Sequence, residues 1–377
     1  MPGNIPTHQA SSTHKPLPKL SRRSLLRMTL EEGGPGFCQF AVNNACNARC
    51  GFCSFALDKL PRDAWRYVDR DGAFDAIDIL YGQGIRYLVI TGGEPLLHPD
   101  IAAIVRRAAG LQMKVMLVTN GSLLKPHRIR ELSAAGISSF IISIDAASRE
   151  LHERNRGLPG VCERIREANK LLKDLKLHAT ASVTMSRLVD YEVLPDFLTS
   201  LGFTSVTFSY PVTRLGSNFL GYSESDLVTY TEEELHEAFA RILRLKKHFL
   251  VVNPTASLKE MQRFLRHEEQ RFPCLGGYKF FYLDWNLDIW RCHFWEKPLC
   301  SIYDFDGSQR VRDGCTRCMI DCYRDSSVMQ QIGVSVNDAY RALRAGRLSE
   351  AAEAISRRGN IGSVGAVLEV MPWLIRF

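Results

Sequence analysis

The feature that most constrains this chain is a repeating alternation of short apolar runs with helical patterns. Residues 37–42, 87–90, 114–118, 139–144, 178–183 and 205–209 are short runs, most of them rich in Val, Ile, Leu and Phe. Runs of four to six such residues, too short for buried helices, read as strands buried on both faces. Between them, residues 72–81, 101–109, 126–135, 161–175 and 191–201 carry helical spacing. Gly84, Gly110, Gly136 and Gly202 stand where helices should stop. Six strand–helix units at this spacing require a parallel sheet with helical crossovers, either curved into a partial barrel or doubly wound. In both cases the chemistry belongs at the carboxyl ends of the strands.

The motifs fall there. Cys46-Asn47-Ala48-Arg49-Cys50-Gly51-Phe52-Cys53 follows the first strand and sets three thiols within eight residues. A loop of this kind can wrap three thiolates around one face of a [4Fe–4S] cube. It leaves the fourth iron open, as a catalytic centre requires and a closed structural site does not. The spacing of three residues and then two departs from the paired CxxC knuckles of zinc ribbons. After the second strand, Thr91-Gly92-Gly93-Glu94-Pro95 supplies two glycines for close backbone approach, a carboxylate and a proline that fixes the exit. Thr119-Asn120-Gly121 ends the third strand, and Ser143-Ile144-Asp145 ends the fourth. Asn-Gly is also a common turn dipeptide, so Asn120 reads equally as turn and as site.

Together these segments resemble the radical S-adenosylmethionine (SAM) superfamily over roughly residues 37–210. CNARCGFC resembles its CxxxCxΦC motif, and TGGEP its GGEP element. The resemblance implies a [4Fe–4S] cluster on Cys46, Cys50 and Cys53, with SAM chelated at the open iron. It implies adenine against Phe52, the SAM amino group near Gly92, Gly93 and Glu94, and SAM contacts from Ser143 and Asp145. The implied activity is reductive cleavage of SAM to a 5′-deoxyadenosyl radical that abstracts hydrogen from, or adds to, an unidentified substrate. An electron donor such as flavodoxin or ferredoxin is then required. The expected fold is α/β, a partial (β/α)6 TIM-like barrel with a small C-terminal cysteine-rich hairpin and helix domain.

A second group of cysteines lies downstream. Cys274 and Cys292 flank residues 278–290, where aromatic and apolar runs surround Trp285-Asn286 as in a β-hairpin, bringing the two thiols together at its open end. Cys315 and Cys318 follow as a CxxC pair, then Cys322. Four thiolates suit a second [4Fe–4S] cluster or a zinc ion. The arrangement resembles the auxiliary-cluster domains called SPASM and twitch. The single-cluster twitch form fits better, with Cys274, Cys292, Cys315 and Cys318 as ligands and Cys322 able to replace one of them. The segment 315–322 also resembles the C-terminal part of adenosylhopane synthases, which would make the substrate a lipid rather than a peptide or small molecule. The alternative reading is a non-catalytic protein in which both thiol groups hold zinc. Cys38, Cys162 and Cys300 lack partner spacing and read as buried hydrophobes.

The expected domains are a basic flexible arm (1–36), the barrel (37–250), the auxiliary segment (251–330) and a helical tail (331–377). The net charge of +7 is concentrated in the arm: Lys15, Lys19, Arg22, Arg23 and Arg27 all precede the first acid, Glu31. The body is close to neutral, so no nucleic-acid partner is expected. Residues 21–26 resemble a twin-arginine signal, but Arg27, Glu31 and Glu32 follow where an apolar run should. With no apolar stretch long enough to span a bilayer, and with cysteines clustered for metal rather than disulfides, the expected location is the cytoplasm. The apolar end, 364–377, reads as a helix packed on the barrel, with contact to a membrane surface as the alternative.

Overall fold

A computed structural model describes residues 22–211, 215–218 and 225–374. Seven parallel strands form the body of one ten-stranded sheet: β1 (Gly36–Ala41), β2 (Ile85–Thr91), β3 (Lys114–Thr119), β4 (Ser139–Ile144), β5 (His178–Thr184), β6 (Ser205–Ser209) and β7 (Leu250–Val251). They neighbour one another in chain order. The crossovers between them are α2 (Arg70–Gly82), α3 (Ile101–Gly110), α4 (Pro126–Ala135), α5 (Arg149–Arg156) with α6 (Val161–Asp174), α7 (Leu194–Ser200) and α8 (Glu232–Leu245). This is the expected partial (β/α)6 barrel, with the two-residue β7 added at its edge.

Side chains alternate across such strands. Leu88 and Ile90, Val115 and Leu117, Phe140 and Ile142, and Val206 and Phe208 are fully buried in the main core. Their neighbours Val89 and Thr91, Met116 and Val118, Ile141 and Ser143, Ser182 and Thr184, and Thr207 and Ser209 line a central cavity of about 720 Å³. The sheet is therefore packed on one face and holds a mainly apolar chamber on the other, into which Thr91, Ser143, Ser182, Thr184, Thr207 and Ser209 bring hydroxyls.

The expected hairpin forms from β8 (Phe280–Leu283) and β9 (Asp288–Trp290), with Tyr282 opposite Trp290 and Leu283 opposite Ile289. It extends the barrel sheet: β8 pairs in parallel with β1, and β10 (Cys300–Ser301) pairs with β9. The chamber is completed by α10 (Asp321–Arg344). Near its start, Tyr210 at the end of β6 donates its hydroxyl to Asp325 at 2.9 Å. One turn on, Gln330 donates to the Pro35 carbonyl before β1 at 2.8 Å. This helix thus ties the last long strand to the first.

Several elements differ from expectation. Residues 1–21 of the basic arm lie outside the described residues, but α1 (Arg22–Glu32) is a helix, not a flexible lead. Its order comes from packing: Asn337 of α10 donates to the Leu30 carbonyl at 2.6 Å, and Met28 is buried. The helical tail expected over 331–377 is not continuous: Gly346 (φ +73°) separates α10 from α11 (Leu348–Ser356). The apolar terminal stretch is α12 (Gly359–Leu374), packed against α10 and against α9 (Thr255–Leu265). Among the described residues no helix is long and apolar enough to cross a membrane.

Candidate active site

The loop carrying the first thiols leaves β1 over the glycines that end β2. Gly93 N–H donates to Asn43 O at 3.1 Å, and Glu94 N–H to Ala45 O at 2.7 Å. A Cβ on Gly92 would stand 2.2 Å from Asn43 O, and one on Gly93 2.2 Å from Ala45 O. Gly92 also has φ +138°. The close approach that glycine permits here is made by the chain itself, which seats the cysteine loop on the end of β2.

Further clamps fix the loop. Asn120 donates its side-chain amide to Asn47 Oδ1 at 2.8 Å, Arg49 N–H donates to Arg156 O at 2.8 Å, and Gly51 N–H donates to Asn155 Oδ1 at 3.2 Å. Cys46, Cys50 and Cys53 then gather in one cluster with Phe52, Phe55 and Val228, and all three thiols line the cavity. Burial pushes the Cys46 thiol up to about 12, and raises Cys50 and Cys53 as well. Such thiols stay protonated until a cation displaces the proton.

Of the other expected residues, Phe52, Gly92, Gly93 and Ser143 line the cavity. Glu94 and Asp145 stand behind it. Glu94 is fully buried, and its carboxylate accepts from Thr119 Oγ1 (2.8 Å), Asn120 N (2.7 Å) and Leu96 N (3.1 Å). Burial still lifts it to about 7. It laces the ends of β2 and β3 together at the edge of the cavity. Asp145, also fully buried, accepts from Asn155 Nδ2 at 2.8 Å and pairs with Arg156 Nη2 at 2.6 Å. Burial opposes its charge, and the guanidinium outweighs that and holds the carboxyl below its usual range.

Arg156 was not singled out by sequence, because an arginine in the last turn of a helix is ordinary. Here it is 6% exposed, it lines the cavity, and its Nε has no hydrogen-bond partner. Its charge is felt at Cys46 and Cys50. The site therefore combines three thiols, one buried cation with an unspent donor, and the strand hydroxyls.

The second thiol group assembles at the open end of the hairpin. Cys274, Cys292, Cys315, Cys318 and Cys322 share one cluster with Ile320 and Tyr323. Cys274 N–H donates to Cys315 O at 2.7 Å, and Gly276 N–H points at Cys274 Sγ at 3.3 Å. Cys322 lines the central cavity, whereas the other four do not. Arg324 is 1% exposed beside Cys274 and Cys318; one nitrogen bonds Gln270, and Nε and Nη1 have no partner. Among the described residues no three His, Cys, Asp or Glu are grouped as for a single metal ion. A [4Fe–4S] cube asks something different, one thiolate per iron spread over its corners.

Comparison with known proteins places a family domain over the same part of the chain. Residues 41–197 match the family model of the Radical SAM superfamily. An "AdoMet-dependent heme synthase" of Methanosarcina barkeri is 32% identical over 154 residues, 41% of this chain and 43% of the relative. A "Probable GTP 3',8-cyclase" of Pyrobaculum aerophilum is 34% identical over 146 residues, 37% of this chain and 46% of the relative. The chain thus spans less than half the length of these relatives. The crystal structure of Streptococcus suis SuiB bound to S-adenosylmethionine superposes with a TM-score of 0.54 at 16% identity, covering 71% of this chain and 62% of that one. That likeness is one of fold.

Proposed function

We propose that this chain, a member of the radical SAM superfamily through residues 41–197, is an enzyme that reductively cleaves S-adenosylmethionine and directs the resulting radical at a substrate held in the barrel. The observation that carries the proposal is that Cys46, Cys50, Cys53 and Arg156 line the same cavity. When bound there, a [4Fe–4S] cluster supplies the electron that splits the sulfonium into methionine and a 5′-deoxyadenosyl radical. The chain's own residues do the rest. Cys46, Cys50 and Cys53 hold three corners of the cube. The Arg156 guanidinium supplies the positive charge that faces the SAM carboxylate from the cavity lining. Phe52 packs on the adenine, while Gly92, Gly93 and Ser143 bound the methionine end. Glu94 and Asp145 act as positioning residues, the first by joining strand ends and the second by holding Arg156. The surrounding strands and α10 exclude water from the reacting atoms.

Cys274, Cys292, Cys315 and Cys318 are proposed to hold a second [4Fe–4S] cluster. Cys322 belongs to the same cluster but is the one of the five that also lines the central cavity, which supports that choice. The unpartnered Arg324 nitrogens supply N–H donors toward the anionic cluster. A flavodoxin or ferredoxin type of donor in the cytoplasm would provide the electrons. The test is anaerobic reconstitution with iron and sulfide, reduction with dithionite, addition of SAM, and chromatography for 5′-deoxyadenosine. Formation that is abolished by Cys50→Ala supports the proposal. Undiminished formation in that variant refutes it.

A further inference from the structure

We infer that the outward face of α12 is a docking surface for a lipid bilayer, favouring anionic headgroups. Through Trp373 this helix carries one charged residue, Glu369, and that side chain is turned inward. It accepts from Thr255 N–H at 2.9 Å and pairs with Lys246 at 2.9 Å. The same inward side buries Ala366 and Val370 with Asn360 and Ser363, whose polar groups bond α10 and the end of α11, and Val367 and Trp373 line the central cavity.

A helix resting on a barrel normally turns charge to solvent. On α12 the outward positions are Ile361, Val364, Leu368 and Met371, exposed by 87%, 43%, 59% and 41%. Their spacing of three, four and three places them on one stripe with no charge among them. Contiguous apolar surface of this kind marks an interaction site. Its surroundings supply the complementary sign. Arg358 is exposed immediately before the helix, and exposed Arg271 has its carbonyl 3.0 Å from the position of a Cβ on Gly359. Basic residues around an apolar helix face fit a membrane of negative surface potential. Since no described helix can span, the contact lies in the plane of the interface. A docked α12 sets one wall of the reaction chamber against the bilayer.

The test uses the full-length, anaerobically reconstituted protein and sedimentation with vesicles of phosphatidylcholine, alone or mixed with phosphatidylglycerol. The wild type should pellet with the mixed vesicles. Leu368→Glu and Ile361→Glu should each weaken that binding about tenfold or more, with iron content and thermal melting unchanged. Ile361 is almost wholly exposed, so its variant keeps the test valid if Leu368→Glu misfolds. Arg358→Glu should weaken binding to the mixed vesicles more than to phosphatidylcholine alone. Three outcomes would overturn the inference: no vesicle binding by the wild type, equal binding by the stripe variants, or a dimer seen by light scattering that Leu368→Glu dissociates while vesicles are ignored. The last would make the face a contact between copies of the chain.

Discussion

Replacing Arg156 by methionine removes the cation from a pair whose side chains are 7% and 0% exposed and 2.6 Å apart. Asp145 then remains as a buried carboxylate with Asn155 as its remaining side-chain donor. Removing one member of such a buried pair costs about 3–5 kcal/mol. Asp145→Asn alone should cost a similar amount, because it strands the guanidinium. The double variant removes both charges, so most of the loss should be recovered, and the coupling should approach the sum of the two single-variant costs. Urea denaturation followed by tryptophan fluorescence measures all three. Cofactor binding should behave differently. The double variant regains stability but still lacks the guanidinium on the cavity wall, so equilibrium dialysis should show SAM bound at least about tenfold more weakly, a loss of about 1.4 kcal/mol. A loss of less than about 1 kcal/mol in Arg156→Met would refute the buried pair. Wild-type SAM affinity in the double variant would refute the role given to Arg156.

Other changes probe the supports. Gly93→Ala drives a Cβ into Ala45 O, a backbone atom that can move only with the cysteine loop. It should lower stability by about 1–3 kcal/mol and reduce iron retained by the reconstituted protein, read by melting and iron assay. Burial raises Asp325 from 3.8 to about 6, so the folded state holds its proton more tightly than the unfolded chain. The stability this contributes is complete below the unfolded value and is lost as pH rises through the folded one. Melts across that window should show the wild type losing about 3 kcal/mol relative to Asp325→Asn. Arg324→Met should shift the potential of the second cluster downward, on the order of tens of millivolts, because reduction adds negative charge beside the lost cation. Spectroelectrochemical titration of that cluster measures the shift.

The parts of the site written in the sequence are those whose chemistry is local. Three thiols within one loop, two glycines at a strand end and a hairpin between Cys274 and Cys292 each declare themselves by spacing. Partners chosen over long distances do not. Glu94 looks like a free carboxylate in sequence, and only the meeting of β2 with β3 reveals its three donors. Arg156 carries no signal until α5 brings it beside Cys50. The chamber's hydroxyls follow from alternation along β4, β5 and β6, but which face encloses space depends on where α10 crosses. The helix α1 is hidden for the same reason, since its order is supplied by Asn337 and Val334 some three hundred residues away.

The most direct test is electron paramagnetic resonance of the reconstituted, dithionite-reduced protein with and without SAM. A cluster on Cys46, Cys50 and Cys53 has one iron free of protein ligand, so its signal should change shape when SAM is added, and Cys50→Ala should abolish the SAM-sensitive component. A signal that SAM leaves untouched, or one that survives intact in Cys50→Ala, would contradict the assignment of these three thiols as the seat of the chemistry.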